Sequence, residues 1–217
     1  MSSEEVKARE LVCTLARSLF ERGLTGGASG NISMRLADGG LLVTPTGSSM
    51  GRLDPARLSH FDASGTLVSG DQPTKEMALH SAFYETRGAK TGAVVHLHSS
   101  HSVALSMLPE TDPDNVLPPL TPYSIMRLGK VKLLPYFRPG DAAMGEAIRG
   151  LAGRRSAVLL ANHGPVVAAK DLEAAVYAME ELEETARLAL LTRGMNPRLL
   201  NDSEIRDIVD TFDVEWD

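Results

Sequence analysis

The chain has 217 residues, 43% hydrophobic and 23% charged, which is long and apolar enough to bury a sizeable core as one domain spanning 1–217. Its formal net charge of −6 argues against a nucleic-acid-binding protein or another general binder of polyanions. An anionic small molecule would instead need a local positive site.

The cysteine content and the N-terminus indicate a compartment. Cys13 is the only cysteine, so no disulfide can form within the chain, which fits a reducing environment. It lies in the apolar rhythm of the first predicted helix, which favours a buried structural role over that of a nucleophile. The N-terminal residues lack the pattern of a secretory signal, and no apolar run approaches the roughly 20 residues that span a membrane. We therefore expect a soluble, cytoplasmic protein without membrane partners.

Apolar periodicity and turn residues predict helices and short strands along the first half of the chain. In order, these are a helix over 3–22, strands at 31–36 and 41–44, a hairpin over 58–68, a helix over 75–87 capped by Thr74, a buried strand at 92–98 and a helix over 100–108.

The second half continues the alternation after a loop at 109–120 that carries four prolines. The predicted elements are a short helix at 122–128, a strand at 131–137, a helix over 141–152, strands at 156–161 and 165–169, and a long helix over 171–193. Interleaved strands and helices predict a layered α/β domain. Short turns between neighbouring strands predict a mixed, largely antiparallel sheet.

Three histidines have the spacing of metal ligands. His96 and His98 stand two apart in a predicted strand, so their side chains leave the same face and can both reach one ion at roughly 2.0–2.1 Å. Leu97 between them points the other way, into a core. His163 follows an apolar strand, at a strand end where functional residues concentrate. A lone histidine is ordinarily structural, but three together favour a catalytic metal site with open positions for substrate oxygens.

The other histidines and one acid are less informative alone. His101 could be a fourth ligand, an outer group that supports the site or a substrate contact, and the last two are preferred. His60 and His80 are interpreted as structural. Glu76 lies in the first turn of its predicted helix, where an acid complements the helix dipole and needs no further role.

Two glycine-containing loops, 26–31 and 44–47, and the helix start at Thr74 and Lys75 are candidates for anion binding. Successive backbone N–H groups in such places can cradle a phosphate. Neither loop matches a dinucleotide fingerprint or a Walker loop, so on composition alone ordinary turns are the simpler interpretation.

Five motifs follow one another in a fixed order. They are Ser29-Gly30-Asn31-Ile32-Ser33, Thr44-Pro45-Thr46-Gly47, Lys75-Glu76 followed by His80, His96-Leu97-His98 with His101, and Asn162-His163-Gly164. Together they resemble the class II aldolase/adducin head family over roughly residues 5–195. The resemblance implies a three-layer α/β/α fold and a homotetramer with sites between neighbouring subunits.

The resemblance also assigns roles within the site. It implies that His96, His98 and His163 hold one divalent ion per subunit, most simply Zn²⁺, although a three-histidine site also accepts Mn²⁺ or Co²⁺. Glu76 matches the family acid/base, which can ligate the ion when substrate is absent. Tyr123 falls near the position of a tyrosine that reaches a neighbour's site, and is expected to take part in catalysis.

The phosphate contacts follow from the same resemblance. Asn31, Thr46, Gly47, Thr74 and Lys75 match positions around a substrate phosphate. Fuculose-phosphate aldolases carry two serines where this chain has a threonine and a lysine, which leaves the contacts there less certain and adds a positive charge beside the site.

Within the family, several stretches are most similar to the 3-oxo-tetronate 4-phosphate decarboxylases. They are Pro73-Thr74-Lys75-Glu76, Val94 to Ser99, Thr121-Pro122-Tyr123 through Gly129, and Leu134 to Asp141. This similarity implies decarboxylation of a small phosphorylated sugar acid to dihydroxyacetone phosphate through an enediolate. Lys75 or Arg138 could hold its carboxylate or phosphate, and the sequence does not separate these roles.

Other readings remain open from the sequence. A fuculose-phosphate type of aldolase would break the equivalent bond with an aldehyde leaving, a pentulose-phosphate 4-epimerase would change only a configuration, and a dehydratase is a third enzymatic alternative. An adducin-like interaction module without chemistry is disfavoured, because the three histidines and Glu76 are all present.

Overall fold

The computed structural model describes residues 2–216, which contain seven α-helices and one eight-stranded sheet. The helices are α1 Ser3–Glu21, α2 Met77–Arg87, α3 Ser100–Ser106, α4 Pro122–Leu128, α5 Ala143–Arg149, α6 Leu172–Leu191 and α7 Asp202–Phe212. The strands are β1 Asn31–Arg35, β2 Leu41–Val43, β3 Ser59–Phe61, β4 Leu67–Ser69, β5 Ala93–His96, β6 Lys132–Leu134, β7 Ala157–Leu160 and β8 Gly164–Ala169.

The sheet has the strand order β4-β3-β2-β1-β5-β8-β7-β6. Every neighbouring pair is antiparallel except β6 and β7, which run parallel, so the prediction of a mixed, largely antiparallel sheet is confirmed. Strand β5 lies between β1 and β8, where His96 is opposite Asn31 on one side and Val166 on the other. The end of β5 is therefore flanked by two other strands.

The two faces of the sheet are covered by different helices because successive side chains of a strand point to opposite faces. In β5, Ala93 and Val95 join the apolar cluster formed with helices α1, α3, α4 and α6. Val94 instead joins the cluster formed with α2 and α5. The three layers confirm the expected α/β/α sandwich. No helix within residues 2–216 combines the length and apolar character needed to cross a membrane.

Two predicted boundaries near the histidines are wrong. Strand 92–98 ends at His96 because β1 begins opposite it, after Gly30 turns the chain with a φ of +79°. The helix predicted from residue 75 begins at Met77 because Pro73 forms a bridge to Pro45 and holds the preceding chain extended. Glu76 is consequently the N-cap residue of α2 and does not lie in its first turn.

Elements elsewhere are shorter than predicted, and one was not predicted. The strand predicted over 131–137 is only the three-residue β6, Lys132–Leu134, and the helix predicted over 141–152 is only α5, Ala143–Arg149. Helix α7 begins with a reciprocal capping box between Asn201 and Glu204, a signal that the sequence carried. Cys13 is buried in α1 as expected, and burial raises the pKa of its thiol to about 11.

Candidate metal centre

Four structural elements meet at one end of the sheet. Strand β5 ends there with His96, β1 begins there with Asn31, and the turn between β7 and β8 carries His163. Helix α2 begins at the same place, with Glu76 as its N-cap. Antiparallel pairing puts the end of one strand beside the start of the next, which explains why residues so far apart in sequence converge.

Glu76, His96, His98 and His163 form one compact group. Each offers a ligand atom, and these four atoms all lie within 4.8 Å of one another. The imidazole rings contact one another with centroid separations of 4.8–5.0 Å. The Glu76 carboxylate lies 3.4 Å from Nε2 of both His96 and His163. The structure therefore brings together all three histidines, although His98, predicted to lie in the strand, follows the end of β5.

The hydrogen bonds around the group fit a bound cation. His96 Nδ1 donates to the Pro165 carbonyl at 2.9 Å, so its Nε2 lone pair faces the other ligands. Both ring nitrogens of His163 and Oε1 of Glu76 are buried without a hydrogen-bond partner among the described residues. Buried polar atoms without partners are costly, and coordination to a metal ion would satisfy the ones that face the group.

The charge states in the group also favour metal ligation. Burial lowers the pKa of His96 to about 4 and also lowers the pKa of His98 and His163, so these rings are neutral and able to ligate near pH 7. Burial by itself would raise the pKa of Glu76. Its pKa is nevertheless lowered, because His96 and the amide of Asn31 stabilise the carboxylate.

Two glycines allow the backbone to close around the group. A Cβ atom on Gly30 would lie 2.9 Å from the carbonyl oxygen of His96, and one on Gly164 would lie 2.2 Å from that of Leu97. Each has a positive φ, of +79° and +156° respectively. Neither position accommodates a side chain without moving a ligand-bearing segment, which accounts for the glycines beside Asn31 and His163.

Four of the five residues expected around a phosphate, Thr46, Gly47, Thr74 and Lys75, lie on two loops that are joined by backbone hydrogen bonds, whereas Asn31 lies on β1. The Thr46 N–H donates to the Gln72 carbonyl at 2.9 Å, and the Thr74 N–H donates to the Thr44 carbonyl. The Thr74 hydroxyl accepts from the Glu76 N–H at 3.2 Å, which links the loop to the start of α2. The Thr74 side chain therefore holds its loop against the start of α2.

A cleft of about 280 Å³ lies between the two glycine-containing loops. Thr46 and Gly47 line it from one side and Gly27 and Ala28 from the other. Arg52 also lines this cleft, and no sequence motif distinguishes it from the other arginines. The lining also includes Asp54 and the ion pair of Arg57 with Asp71, so an anionic ligand would meet the cation of Arg52 beside two acidic side chains.

Other candidate residues lie outside the group. Tyr123 is 58% exposed at the start of α4, which packs on the opposite face of the sheet from α2. His101 donates from its ring to Glu183 and does not belong to the four-residue group. His60 lies 3.2 Å from Glu5. Lys75 is exposed, and its Cβ lies 3.5 Å from where a Cβ on Gly140 would be, in the turn that follows Arg138.

Fold and donor set together define an α/β/α protein with a group of three imidazoles and one carboxylate that could hold a metal ion. A family model for the class II aldolase and adducin N-terminal domain matches residues 10–190. The chain belongs to the class II aldolase/adducin family, whose enzymes are metal-dependent.

Several known proteins are similar over nearly the whole chain. A 3-oxo-tetronate 4-phosphate decarboxylase of Escherichia coli is 48% identical over 204 residues, which cover 94% of this chain and 96% of the relative. The L-fuculose phosphate aldolase of Escherichia coli is 31% identical over 209 residues, which cover 94% and 93%. The crystal structure of YgbL from Escherichia coli superimposes with a TM-score of 0.91 at 46% identity, covering 94% of this chain and 98% of that one.

Proposed function

We propose that the protein is a metal-dependent carboxy-lyase that converts a 3-oxo-tetronate 4-phosphate to dihydroxyacetone phosphate and CO₂. The observation that carries this proposal is the buried group in which the Glu76 carboxylate lies 3.4 Å from two imidazoles whose nitrogens are available to a cation. The relatives named as decarboxylases support this reaction, since their identity of 44–48% exceeds the 31% of the named fuculose phosphate aldolases.

His96, His98 and His163 hold the metal ion in this proposal, with Glu76 as a further ligand before substrate enters. A bound divalent ion supplies a Lewis acid that stabilises negative charge on substrate oxygens. The ion that we propose is Zn²⁺, because neutral imidazoles suit it well, and Mn²⁺ or Co²⁺ would also be accepted.

Glu76 moves the proton that the reaction requires. It is ionised in the resting site, so it first takes the proton of the substrate's 2-hydroxyl. Loss of CO₂ then breaks the bond between C1 and C2 and leaves the electron pair in an enediolate. Glu76 returns the proton to C2, and water reprotonates the product hydroxyl. One proton is consumed overall for each CO₂ released.

The phosphate is proposed to bind beside Asn31, Thr46, Gly47, Thr74 and Lys75. The cleft between the glycine-containing loops supports the part of this placement at Thr46 and Gly47, because the cation of Arg52 lines the same cleft. Arg138 lies in the turn that packs against Lys75, so one of these two cations can hold the carboxylate while the other contacts the phosphate.

We further propose a cytoplasmic homotetramer with sites between subunits, in which Tyr123 reaches the site of a neighbour. The 58% exposure of Tyr123 leaves it available for such a contact. Buried Cys13, a free thiol, fits a reducing compartment. Light scattering measures the oligomeric state, and Tyr123→Phe should lower kcat while leaving the metal content unchanged.

A panel assay with product identification tests the proposed reaction. Purified protein of measured metal content is given phosphorylated 3-oxo acids and ketose phosphates, and CO₂, aldehydes and dihydroxyacetone phosphate are quantified. Equal release of CO₂ and dihydroxyacetone phosphate is the expected result. An aldehyde in place of CO₂ would establish an aldolase, and a changed configuration without fragmentation would establish an epimerase. Absence of both metal and turnover would favour a non-catalytic module.

A further inference from the structure

We propose that His80, Ser33 and Tyr84 are positioning residues, which act through a one-directional chain of buried hydrogen bonds to orient Asn31 against the catalytic carboxylate of Glu76. This inference rests on the proposed function for its kinetic consequences, although the chain itself can be tested without substrate. His80 bonds to Asn31 and Ser33, and Ser33 bonds to Tyr84, so each residue acts on Glu76 through its neighbour.

The chain connects helix α2 with strand β1 through four contacts. The Asn31 amide lies 2.8 Å from Glu76 Oε2, and His80 Nε2 lies 2.5 Å from Asn31 Oδ1. On the other side of the imidazole, His80 Nδ1 lies 2.7 Å from the Ser33 hydroxyl, which lies 3.0 Å from the Tyr84 hydroxyl. One continuous polar path therefore runs from the active carboxylate to the third turn of α2.

Chemistry at the Glu76 end fixes the direction of every bond. An ionised carboxylate only accepts, so the Asn31 NH₂ group must face Glu76 and the amide oxygen must face His80. That oxygen also only accepts, so His80 must carry its proton on Nε2. A neutral imidazole then has an acceptor at Nδ1, and the Ser33 hydroxyl must donate to it. Ser33 is left to accept from Tyr84, so each donor in the chain points toward Glu76.

Burial removes the alternatives to this arrangement. His80 and Ser33 are fully buried, and Asn31 and Tyr84 are 5% and 7% exposed, so none can turn to water instead. Burial also lowers the pKa of His80 to about 3 and raises the pKa of Tyr84, which keeps the imidazole neutral and the phenol protonated. A flipped Asn31 would present its oxygen to the carboxylate and leave two buried acceptors facing each other.

The consequence concerns which oxygen of Glu76 is free. Asn31 engages Oε2, whereas Oε1 faces His163 and has no hydrogen-bond partner within the described part of the chain. The Asn31 side chain also prevents a proton relay, because its amide group would have to accept a proton from His80 on oxygen and release another from nitrogen to Glu76. The chain therefore positions the carboxylate and does not supply its proton.

Histidine NMR tests the orientation without any substrate. With ¹⁵N-labelled histidine, His80 in the wild-type holoenzyme should show the neutral tautomer protonated at Nε2. A tautomer protonated at Nδ1 would overturn the proposal, whatever the enzyme's reaction proves to be. Failure of the decarboxylase assay alone would leave this measurement intact, so the two proposals fail separately.

Two substitutions of the same residue separate positioning from packing. His80→Gln puts an amide nitrogen near the position of Nε2 and keeps the donor to Asn31, whereas His80→Asn keeps a polar group near Nδ1 and loses that donor. We expect His80→Asn to lower kcat by about 10–100-fold with little change in KM, and His80→Gln to remain within about threefold of wild type. Metal content and thermal midpoint should be similar in both variants.

Matched variants complete the test. His60→Gln and His60→Asn, on strand β3, should both leave kcat unchanged. Equal losses in the two His80 variants at equal thermal midpoints would contradict the proposal. If both His80 variants fail to fold, Tyr84→Phe removes only the first donor and should lower kcat by about two- to fivefold at unchanged metal content. An unchanged kcat in Tyr84→Phe would then contradict it.

Discussion

Oε1 of Glu76 lies 3.4 Å from Nε2 of His163, and neither atom has a hydrogen-bond partner among residues 2–216. Oε2 of the same carboxylate is held by the Asn31 amide at 2.8 Å. The carboxylate is thus fixed on one side and chemically available on the other. This asymmetry suits a group that ligates an ion in the resting site and handles a proton during turnover.

Replacing Glu76 by Gln should lower kcat by about 10²–10⁴-fold, because the amide cannot take and return a proton. The three imidazoles remain, so metal content measured by mass spectrometry should stay near one ion per chain. Glu85→Gln, on the exposed side of the same helix, is the matched control and should keep full activity. Retained turnover in metal-loaded Glu76→Gln would sink the acid/base assignment.

His96→Ala should lose both the ion and the activity, because it removes one of the three imidazoles of the proposed site at a fully buried position. Adding Zn²⁺ to chelator-treated wild type should raise the thermal midpoint, with a gain of about 2.7 kcal/mol at one hundred times the Kd. His96→Ala should show no such gain. His101→Gln should respond like wild type, because His101 is engaged by Glu183, and loss of metal in that variant would instead make His101 a ligand.

Gly30→Ala should be markedly more destabilising than Gly65→Ala. Their φ angles are nearly equal, at +79° and +82°, so both substitutions incur a similar backbone strain of about 1 kcal/mol. Only at Gly30 would the new Cβ meet a backbone atom, the His96 carbonyl oxygen, which adds about 1–3 kcal/mol. Urea unfolding measures the difference, and equal losses in the two variants would show that the contact with His96 is unimportant.

The free energy of unfolding of the metal-free protein should decrease as the pH is lowered, partly because of His80. Burial among Asn31, Ser33 and Tyr84, with a smaller effect of His96, holds its folded pKa at about 3. An unfolded histidine has a pKa near 6.5, so below that pH the unfolded chain binds a proton that the folded chain excludes. His80 therefore does not destabilise the folded state above pH 6.5. Between pH 6.5 and pH 3 it lowers the free energy of unfolding by about 1.4 kcal/mol for each pH unit. His80→Gln should show a correspondingly shallower fall between pH 6 and 4.5, and an identical slope would rule out a buried neutral His80.

Lys75→Gln should raise KM by about tenfold with little effect on kcat, because one charge-assisted contact to the substrate is lost before the chemical step. Lys90→Gln is the control, since Lys90 lies at the opposite end of β5 in an ion pair with Glu215. Steady-state kinetics at fixed ionic strength measures both. An unchanged KM in Lys75→Gln would leave Arg52 and Arg138 as the cations that recognise the substrate.

The elements that carry Glu76 and the three clustered histidines could be predicted from the sequence, because apolar periodicity and turn residues are local signals. Alternation placed His96 and Leu97 on opposite faces, and the structure has Leu97 in the core with His96 facing the site. Where the strand ends could not be predicted in the same way. That end depends on Gly30 and β1, which are more than 60 residues earlier in the chain.

Long-range contacts also explain why the sequence position of Glu76 and of His80 did not reveal their surroundings. Glu76 is an N-cap because the bridge between Pro45 and Pro73 delays the start of α2, and no local pattern reports that bridge. His80 was interpreted as structural, since its partners Asn31 and Ser33 lie on a distant strand. Family resemblance suggested which residues share a site, whereas the hydrogen-bond directions became available only with the fold.

The register of the central strands has a consequence for how this enzyme can diversify. Asn31, His96 and Val166 are opposed on three adjacent strands, so a slip of one residue in either pairing would turn the site residues to the wrong face. Substitutions that change the strand register would therefore disrupt the site together with the fold. The loop that carries Thr46 lies outside this ladder, so substitutions there can change the preferred substrate without shifting the register of the central strands.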